Sequence, residues 1–270
     1  MVKHRQPVIA LLTDFGAQDA YVGIMKGVIA AINPQSSIID ICHSIPPQDI
    51  FQGAYLLYTA YKYFPKDTIH VAVVDPGVGS ERDIVCVHTK DYLFLAPDNG
   101  ILGFILPHER PQTIVRITNK KYFLPSPSTT FHGRDIFAPV AAHLSLGVKL
   151  QQLGIETDHL NTLCLPMPRK KRKGGIEGEV IAIDRFGNLI TNITKDYLKG
   201  LKCPQRNIGI LIGKRKITGL GKSYAEANIG MPLALFGSSG FLEVSINQGN
   251  AGKYFKVEKG AKVAIDGTLL

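Results

Sequence analysis

The stretch VIALLTDFGAQDAYVGIMKGVIAAINP, residues 8–34, decides the fold. Its first five residues are an unbroken apolar run of strand length, and Tyr21, Ile24, Met25, Val28, Ile29 and Ile32 then recur at helical spacing until Pro34 ends the pattern. Between them lies a polar turn, Thr13-Asp14-Phe15-Gly16, followed by Asp19, which is placed to cap the helix. A strand that runs through a polar turn into a helix is the first half of a βαβ unit, the building block of parallel sheets.

Working outward, the same grammar continues. Residues 38–41 read as a second strand, 49–64 as a helix closed by Pro65, and 69–74 as a third strand running into Asp75-Pro76-Gly77. Residues 84–88 and 92–95 read as a strand pair. A later helix begins near 133–135, carries Ile136, Phe137, Val140 and Leu144 on one face, and stops at Gly147. The expectation is an α/β N-terminal domain over residues 1–165 with a mainly parallel, Rossmann-like sheet. Pro166, Pro168, the run Arg169-Lys170-Lys171-Arg172-Lys173 and Gly174-Gly175 then form a composition break, expected as a linker over 166–175. Beyond it, short apolar runs at 180–184, 189–193, 208–212, 233–236, 241–246 and 263–265 alternate with Gly- and Asn-containing turns. They predict a small antiparallel β domain, a barrel or a sandwich, over 176–270.

Composition excludes several classes. The 270 residues are 45% hydrophobic and 20% charged, with 27 Gly and 16 Pro, which is globular usage rather than that of a disordered, collagenous or coiled-coil chain. No run approaches the ~20 apolar residues of a membrane-spanning helix. The apolar run after Lys3, His4 and Arg5 is cut too early by Thr13 and Asp14 to be a secretory signal, so a cytoplasmic location is expected. Cys42, Cys86, Cys164 and Cys203 lack zinc spacing and read as reduced thiols. The net charge of +9 suggests a nucleic-acid partner, but five positive charges sit in the single run 169–173 and removing them leaves +4. No stacking aromatics interleave that run, which argues against nucleic acid.

In an open parallel sheet, ligands bind beyond the carboxyl ends of the strands. Three such ends carry polar groups: Asp14 with Asp19, Asp75 with Arg82 around a Gly77-x-Gly79 turn, and Pro97-Asp98-Asn99-Gly100. Asp14 and Asp19 suit ribose hydroxyls or, equally, a turn and a helix cap. The Gly77 loop lacks the order of a dinucleotide or P-loop motif, so what it offers is a carboxylate and a guanidinium brought together by a tight turn. His132 precedes a helix, where it can shuttle a proton or cap; His43, His88, His108 and His143 lack even that context. In the second half, Asp184-Arg185-Phe186-Gly187-Asn188 and the polar interruption Phe236-Gly237-Ser238-Ser239-Gly240-Phe241-Leu242-Glu243 read as hairpins. Phe186 can stack on a purine there, and Asn188 can read an adenine edge.

Together these segments resemble the S-adenosylmethionine hydrolase (adenosine-forming) family, also called S-adenosylmethionine hydroxide adenosyltransferases, relatives of the fluorinating and chlorinating enzymes. The resemblance spans nearly the whole chain. It rests on six ordered motifs: Leu12-Thr13-Asp14-Phe15-Gly16 with Asp19, Val74-Asp75-Pro76-Gly77-Val78-Gly79 with Arg82, Ala96-Pro97-Asp98-Asn99-Gly100, Phe131-His132-Gly133-Arg134-Asp135, Ile183-Asp184-Arg185-Phe186-Gly187-Asn188, and residues 247–251. The resemblance implies an α/β domain followed by a β-barrel, and a homotrimer with active sites at subunit interfaces. It also implies Asp75, Arg82 and His132 as the catalytic trio acting on water rather than halide. It points to substrate contacts from Asp14, Asp19, Asp184, Phe186, Asn188, Ser238, Ser239, Glu243, Asn250 and Ala251. S-adenosyl-L-methionine is then substrate, with no metal or other cofactor implied. Within that reading Arg82 supplies positive charge, His132 accepts the water proton, and Asp75 orients the pair or the ribose. The rival readings are a nucleoside-cleaving enzyme, a non-catalytic adenosine or S-adenosylmethionine sensor, and a basic RNA-binding module.

Overall fold

A computed structural model describes residues 6–163, 165–171, 175–199 and 204–266. Its contacts divide the chain into two compact units, Met1–Leu165 and Pro166–Leu270.

In the first unit the elements run β1 (Val8–Thr13), α1 (Tyr21–Ile32), β2 (Ser37–Cys42), α2 (Ile50–Ala60), β3 (Thr68–Val73), β4 (Ile84–His88), β5 (Tyr92–Pro97), β6 (Thr113–Ile117), α3 (Ala138–Ser145) and β7 (Gly154–Glu156). The seven strands form one sheet in the order β2-β1-β3-β5-β4-β6-β7. β2, β1, β3 and β5 are parallel neighbours, whereas β5, β4, β6 and β7 pair antiparallel. The sheet is therefore mixed, because the short 89–91 turn between β4 and β5 can only reverse the chain, while parallel neighbours need a crossover.

Alternation along the strands builds two cores. Ile9 and Leu11 of β1 and Ile69, Val71 and Val73 of β3 face α1 and α3, meeting Met25, Ile29, Phe137 and Val140. Leu12, Ala72, Phe94 and Ala96 face the other way, onto Leu57 and Tyr61 of the α2 segment and onto Ile101 and Ile105. A side chain such as Ile29, fully removed from water, contributes roughly 1.5–3 kcal/mol by burial.

Capping differs between the two crossover helices. Asp49 caps α2, its Oδ1 accepting from the Gln52 N–H at 2.9 Å. Asp19 does not cap α1: the first helical carbonyl is that of Ala20, which already has near-helical dihedrals, so Asp19 stands one residue too early and is exposed.

The second unit comprises β8 (Arg169–Lys170), β9 (Ile176–Ile183), β10 (Leu189–Thr194), α4 (Lys195–Leu198), β11 (Gly209–Ile212), β12 (Arg215–Thr218), β13 (Pro232–Phe236), β14 (Phe241–Ile246), α5 (Ala251–Phe255) and β15 (Lys262–Asp266). Antiparallel pairing runs β12-β11-β15-β9-β10-β14-β13, and the end strands β12 and β13 approach each other, so the sheet is a nearly closed barrel. Closure hides most of the edge that an open antiparallel sheet would present. Part of the expected basic linker is strand: β10 covers β9 only from Val180 onward, and β8 pairs along the edge left at Ile176 and Glu177. Lys171 makes an exposed ion pair with Glu177 at 3.0 Å, while Arg172, Lys173 and Gly174 lie outside the described residues. Cys42 and Cys86 are free thiols; Cys164 and Cys203 also lie outside the described residues. No helix among the described residues is long and apolar enough to cross a membrane.

Candidate active site

β1 and β3 are neighbours, with Thr13 opposite Val73, yet the chain leaves β1 toward β2 on one side and reaches β3 on the other. At such a switch point the following loops diverge and leave a crevice beyond the strand ends. A cleft of about 370 Å³ lies here, lined among others by Asp14, Phe15, Gln48, Asp75, Phe131 and His132.

The loop after β3 folds back on itself through bonds from the Val78 N–H to the Asp75 carbonyl and from the Ser80 N–H to the Gly77 carbonyl. This returns Arg82 to Asp75. The Arg82 Nε donates to Asp75 Oδ1 and Oδ2 at 2.7 and 2.8 Å, and Nη2 donates to Oδ2 as well. Both side chains are almost wholly buried. Breaking so enclosed a pair by removing one partner costs about 3–5 kcal/mol, because a charge is left without compensation.

The third member arrives from fifty residues away. Arg82 Nη2 lies 3.0 Å from His132 Nδ1. Guanidinium can only donate, so Nδ1 is the acceptor and the neutral ring carries its proton on Nε2. Burial and the Arg82 charge push the His132 pKa below its ordinary value; Asp75, Asp135 and a hydrogen bond to the Ser128 backbone oppose them.

What holds His132 there is a loop organised by Asp135. That buried carboxylate accepts from the Ser128 N–H (2.8 Å), the Ser128 hydroxyl (2.7 Å) and Arg134 Nε (2.6 Å). A π-helical turn, Gly133–Phe137, follows His132 directly. It is closed by the Ala138 N–H donating to the Gly133 carbonyl, and since Pro139 has no N–H for the Asp135 carbonyl, the Leu124 N–H takes that carbonyl instead, at 2.9 Å. Gly79 brings the two loops together. Its φ is +79°, and a Cβ at this position would stand 2.4 Å from the Thr129 carbonyl oxygen, a close approach that only glycine permits.

Of the residues singled out in the first half, the structure joins Asp14, Asp75 and His132 in one cleft, with Arg82 directly behind. Asp14 Oδ2 accepts from the Gln48 N–H at 2.8 Å. Asp19 is not among the lining residues. Asp98 and Asn99 serve the frame: Asp98 is tied to Asn161 by three hydrogen bonds of 2.8 to 2.9 Å, and Asn99 Nδ2 donates to the Val74 carbonyl just before Asp75. Sequence reasoning missed the aromatic wall, where Phe15, Tyr21 and Phe131 meet edge to edge or tilted at 5.0 to 5.9 Å between ring centroids. Two of them stand inside quoted motifs, and that adjacency was the available signal.

The remaining residues belong to the second unit. Asp184 Oδ1 accepts from the Phe186 and Asn188 N–H groups, both at 2.9 Å, and Oδ2 accepts from Asn188 Nδ2 at 2.8 Å. Asn188 thus spends one of its two amide hydrogens on the turn, while the Phe186 ring is 75% exposed. Asn250 caps α5 through the Lys253 N–H at 2.8 Å and lies against Gly187, whose carbonyl accepts from the Gly252 N–H. The Ala251 side chain is in the core of this unit. Glu243 is buried, its Oε1 accepting from the Tyr224 hydroxyl at 2.6 Å and the Ser245 hydroxyl at 2.8 Å. Burial, then this hydrogen bond, raises the Tyr224 pKa. Ser238 and Ser239 occupy the turn from β13 to β14, beside Gly237, which closely approaches Glu243 Oε2. Among the described residues, no three His, Cys, Asp or Glu side chains converge as a metal site would require.

Comparison with known proteins supplies the family. Residues 9–154 match the SAM hydroxide adenosyltransferase N-terminal domain, and residues 178–264 match the C-terminal domain of the same family. The chain is 40% identical to the (R)-S-adenosyl-L-methionine hydrolase of Methanocaldococcus jannaschii, over 93% of this chain and 92% of that one. It is 34% identical to the protein of the same name from Thermus thermophilus, over 95% and 98%. An uncharacterized conserved protein from Thermotoga maritima superposes with a TM-score of 0.89 at 37% identity, covering 95% of this chain and 99% of the other. A fluorinase of Actinoplanes is more distant, at 26% over 98% and 99%. With both halves matched in order and relatives of this similarity along nearly its full length, the chain belongs to the SAM hydroxide adenosyltransferase family.

Proposed function

We propose that this protein hydrolyses S-adenosyl-L-methionine to adenosine and L-methionine by in-line attack of water on C5′. The observation that carries the reading is the Arg82 guanidinium wedged between Asp75 and His132 at the strand-end cleft. The sulfonium leaves as a neutral thioether, so no general acid is needed and the task is to make water nucleophilic. In the reaction we envisage, water takes the place of the Arg82 Nη2–His132 Nδ1 hydrogen bond, its oxygen accepting from the guanidinium and one of its hydrogens facing the Nδ1 lone pair so freed. As the O–C5′ bond forms, the C5′–S pair departs onto sulfur and the water proton passes to His132 Nδ1. Arg82, fixed by Asp75, balances the developing hydroxide charge without reorganising. A neutral imidazole is required for this step, and the depressed His132 pKa supplies it. S-adenosyl-L-methionine is substrate, not cofactor, and water is preferred to halide.

For binding, we assign Asp14 and Asp19 to the ribose, Phe186 and Asn188 to the adenine, and Ser238, Ser239 and Glu243 to the methionyl end, with Asp184, Asn250 and Ala251 as further substrate contacts. The assembly in this proposal is a homotrimer acting in the cytoplasm, with each active site completed by a neighbouring subunit.

The test is incubation of purified protein with S-adenosyl-L-methionine in halide-free buffer, following products by chromatography beside His132→Ala and Arg82→Ala. Equimolar adenosine and methionine, lost in both variants, is the expected result. Free adenine would instead indicate glycosidic cleavage, and binding without turnover a sensor. Light scattering giving a mass other than three chains would overturn the trimer.

A further inference from the structure

We propose that His43 is a positioning residue for the Asp14 wall of the cleft, acting through Thr13. The inference rests on the S-adenosyl-L-methionine reading for its assay, and on three hydrogen bonds around the buried Thr13 for its content. Thr13, the last residue of β1, is wholly buried. Its Oγ1 accepts from the Phe15 N–H at 3.2 Å and lies 2.8 Å from His43 Nδ1. The His43 carbonyl accepts from the Gly16 N–H at 2.7 Å. One residue, 30 positions away in sequence, therefore grips the 13–16 turn by both its backbone and its side chain, and that turn delivers Asp14 and Phe15 to the cleft.

The proton arrangement follows from what each partner can do. His43 Nε2 faces Asp40 Oδ1 at 3.1 Å, off the direct N–H axis, and Asp40 Oδ2 accepts from Lys26 Nζ at 2.6 Å. A carboxylate only accepts, so the ring proton belongs on Nε2 and Nδ1 offers its lone pair to the Thr13 hydroxyl. Thr13 in turn has its remaining acceptor capacity directed at the Phe15 N–H. The series Lys26, Asp40, His43, Thr13 links α1, β2 and β1 behind the cleft. His43 itself does not line the cleft. Among the described residues no hydrogen bond joins it to the loops that carry Asp75, Arg82 and His132, so its influence falls on the ribose side rather than on the nucleophile.

This separation gives the assay its discrimination. A ribose contact is made alike in ground and transition states, so loosening it raises KM and leaves kcat nearly unchanged. Loss of folded protein does the reverse, lowering kcat at constant KM. His43→Leu is expected to raise KM for S-adenosyl-L-methionine about tenfold, the worth of one buried hydrogen bond, with kcat within about threefold. His43→Asn, whose amide oxygen reaches the place of Nδ1, is expected to restore KM to within about threefold. Thr13→Val and Thr13→Ser repeat the comparison from the other partner, and they decide the matter if His43→Leu does not fold. A wild-type KM in His43→Leu, a fall in kcat alone, or Asn and Leu behaving alike would each overturn the inference. So would Thr13→Val matching Thr13→Ser. If the wild-type protein turns over no S-adenosyl-L-methionine, the hydrolase reading fails by itself, and the adenosine Kd of the same variants by calorimetry tests His43 in place of KM.

Discussion

His70 offers a quantitative test of how this fold responds to acid. It lies on β3 with no exposed surface, stacked on Phe94 at 5.2 Å and 16°, with Phe64, Tyr92 and Tyr61 around it at 5.2, 5.4 and 6.5 Å. Neither ring nitrogen has a hydrogen-bond partner among the described residues. Burial lowers its pKa from 6.5 to about 3. The folded protein therefore keeps this ring neutral while the unfolded chain takes up a proton below pH 6.5. Stability from this site is intact above that pH and is lost as pH falls toward 3. The limiting slope is about 1.4 kcal/mol per pH unit, which gives a loss of about 2 kcal/mol by about pH 5. Against a total stability of roughly 5–15 kcal/mol this is readily measured. Urea unfolding of wild type and His70→Leu between about pH 7.5 and about pH 5 isolates it, because every other group titrates in both proteins. The variant should lose about 2 kcal/mol less over that span. At neutral pH it should match wild type to within about 1 kcal/mol, since deleting unsatisfied polar atoms offsets the lost stacking. Parallel stability losses in the two proteins would refute the reasoning.

Three further outcomes are expected. Gly79→Ala should reduce hydrolysis about a hundredfold with only modest loss of thermal stability, because a Cβ 2.4 Å from the Thr129 oxygen pushes the Arg82 and His132 loops apart; unchanged turnover would contradict it. The acid limb of kcat/KM should fall below pH 6.5, since burial and Arg82 hold His132 deprotonated to lower pH; a limb at or above 6.5 would exclude His132 as the base. Replacing Arg169, Lys170, Lys171, Arg172 and Lys173 by Ser and Gly should leave S-adenosyl-L-methionine turnover intact, as an exposed pair such as Lys171–Glu177 contributes little; a large loss would assign the run a role in the reaction.

The local elements were legible because their causes are local. The apolar run at 8–12 and the helical spacing to Ile32 depend on neighbours a few residues away, and β1 and α1 form where that pattern places them. Motif order likewise carried the family. The β-branched run of β6, Thr113–Ile117, is legible in the sequence, whereas the short strands β7, β8 and β12 are held by a partner strand rather than by their own pattern. Half of the first sheet turned antiparallel for a reason no single strand reveals: direction is a property of the connection.

The site divides in the same way. Residue types at Asp14, Asp75, Arg82 and His132 stand out in the sequence because they interrupt apolar runs at strand ends or helix starts. Their relation does not, since Arg82 meets His132 across fifty residues only where Gly79 lets two loops touch. His43 shows the limit most clearly. In sequence it is an ordinary histidine after a strand, whereas in the fold its ring faces Thr13 and Asp40 at once. Sequence alone determined which elements form, the family, and which polar side chains are available. Tertiary structure alone decided which of them share protons, because a hydrogen bond depends on placement within about 3 Å, and only the packed sheet sets distances that finely.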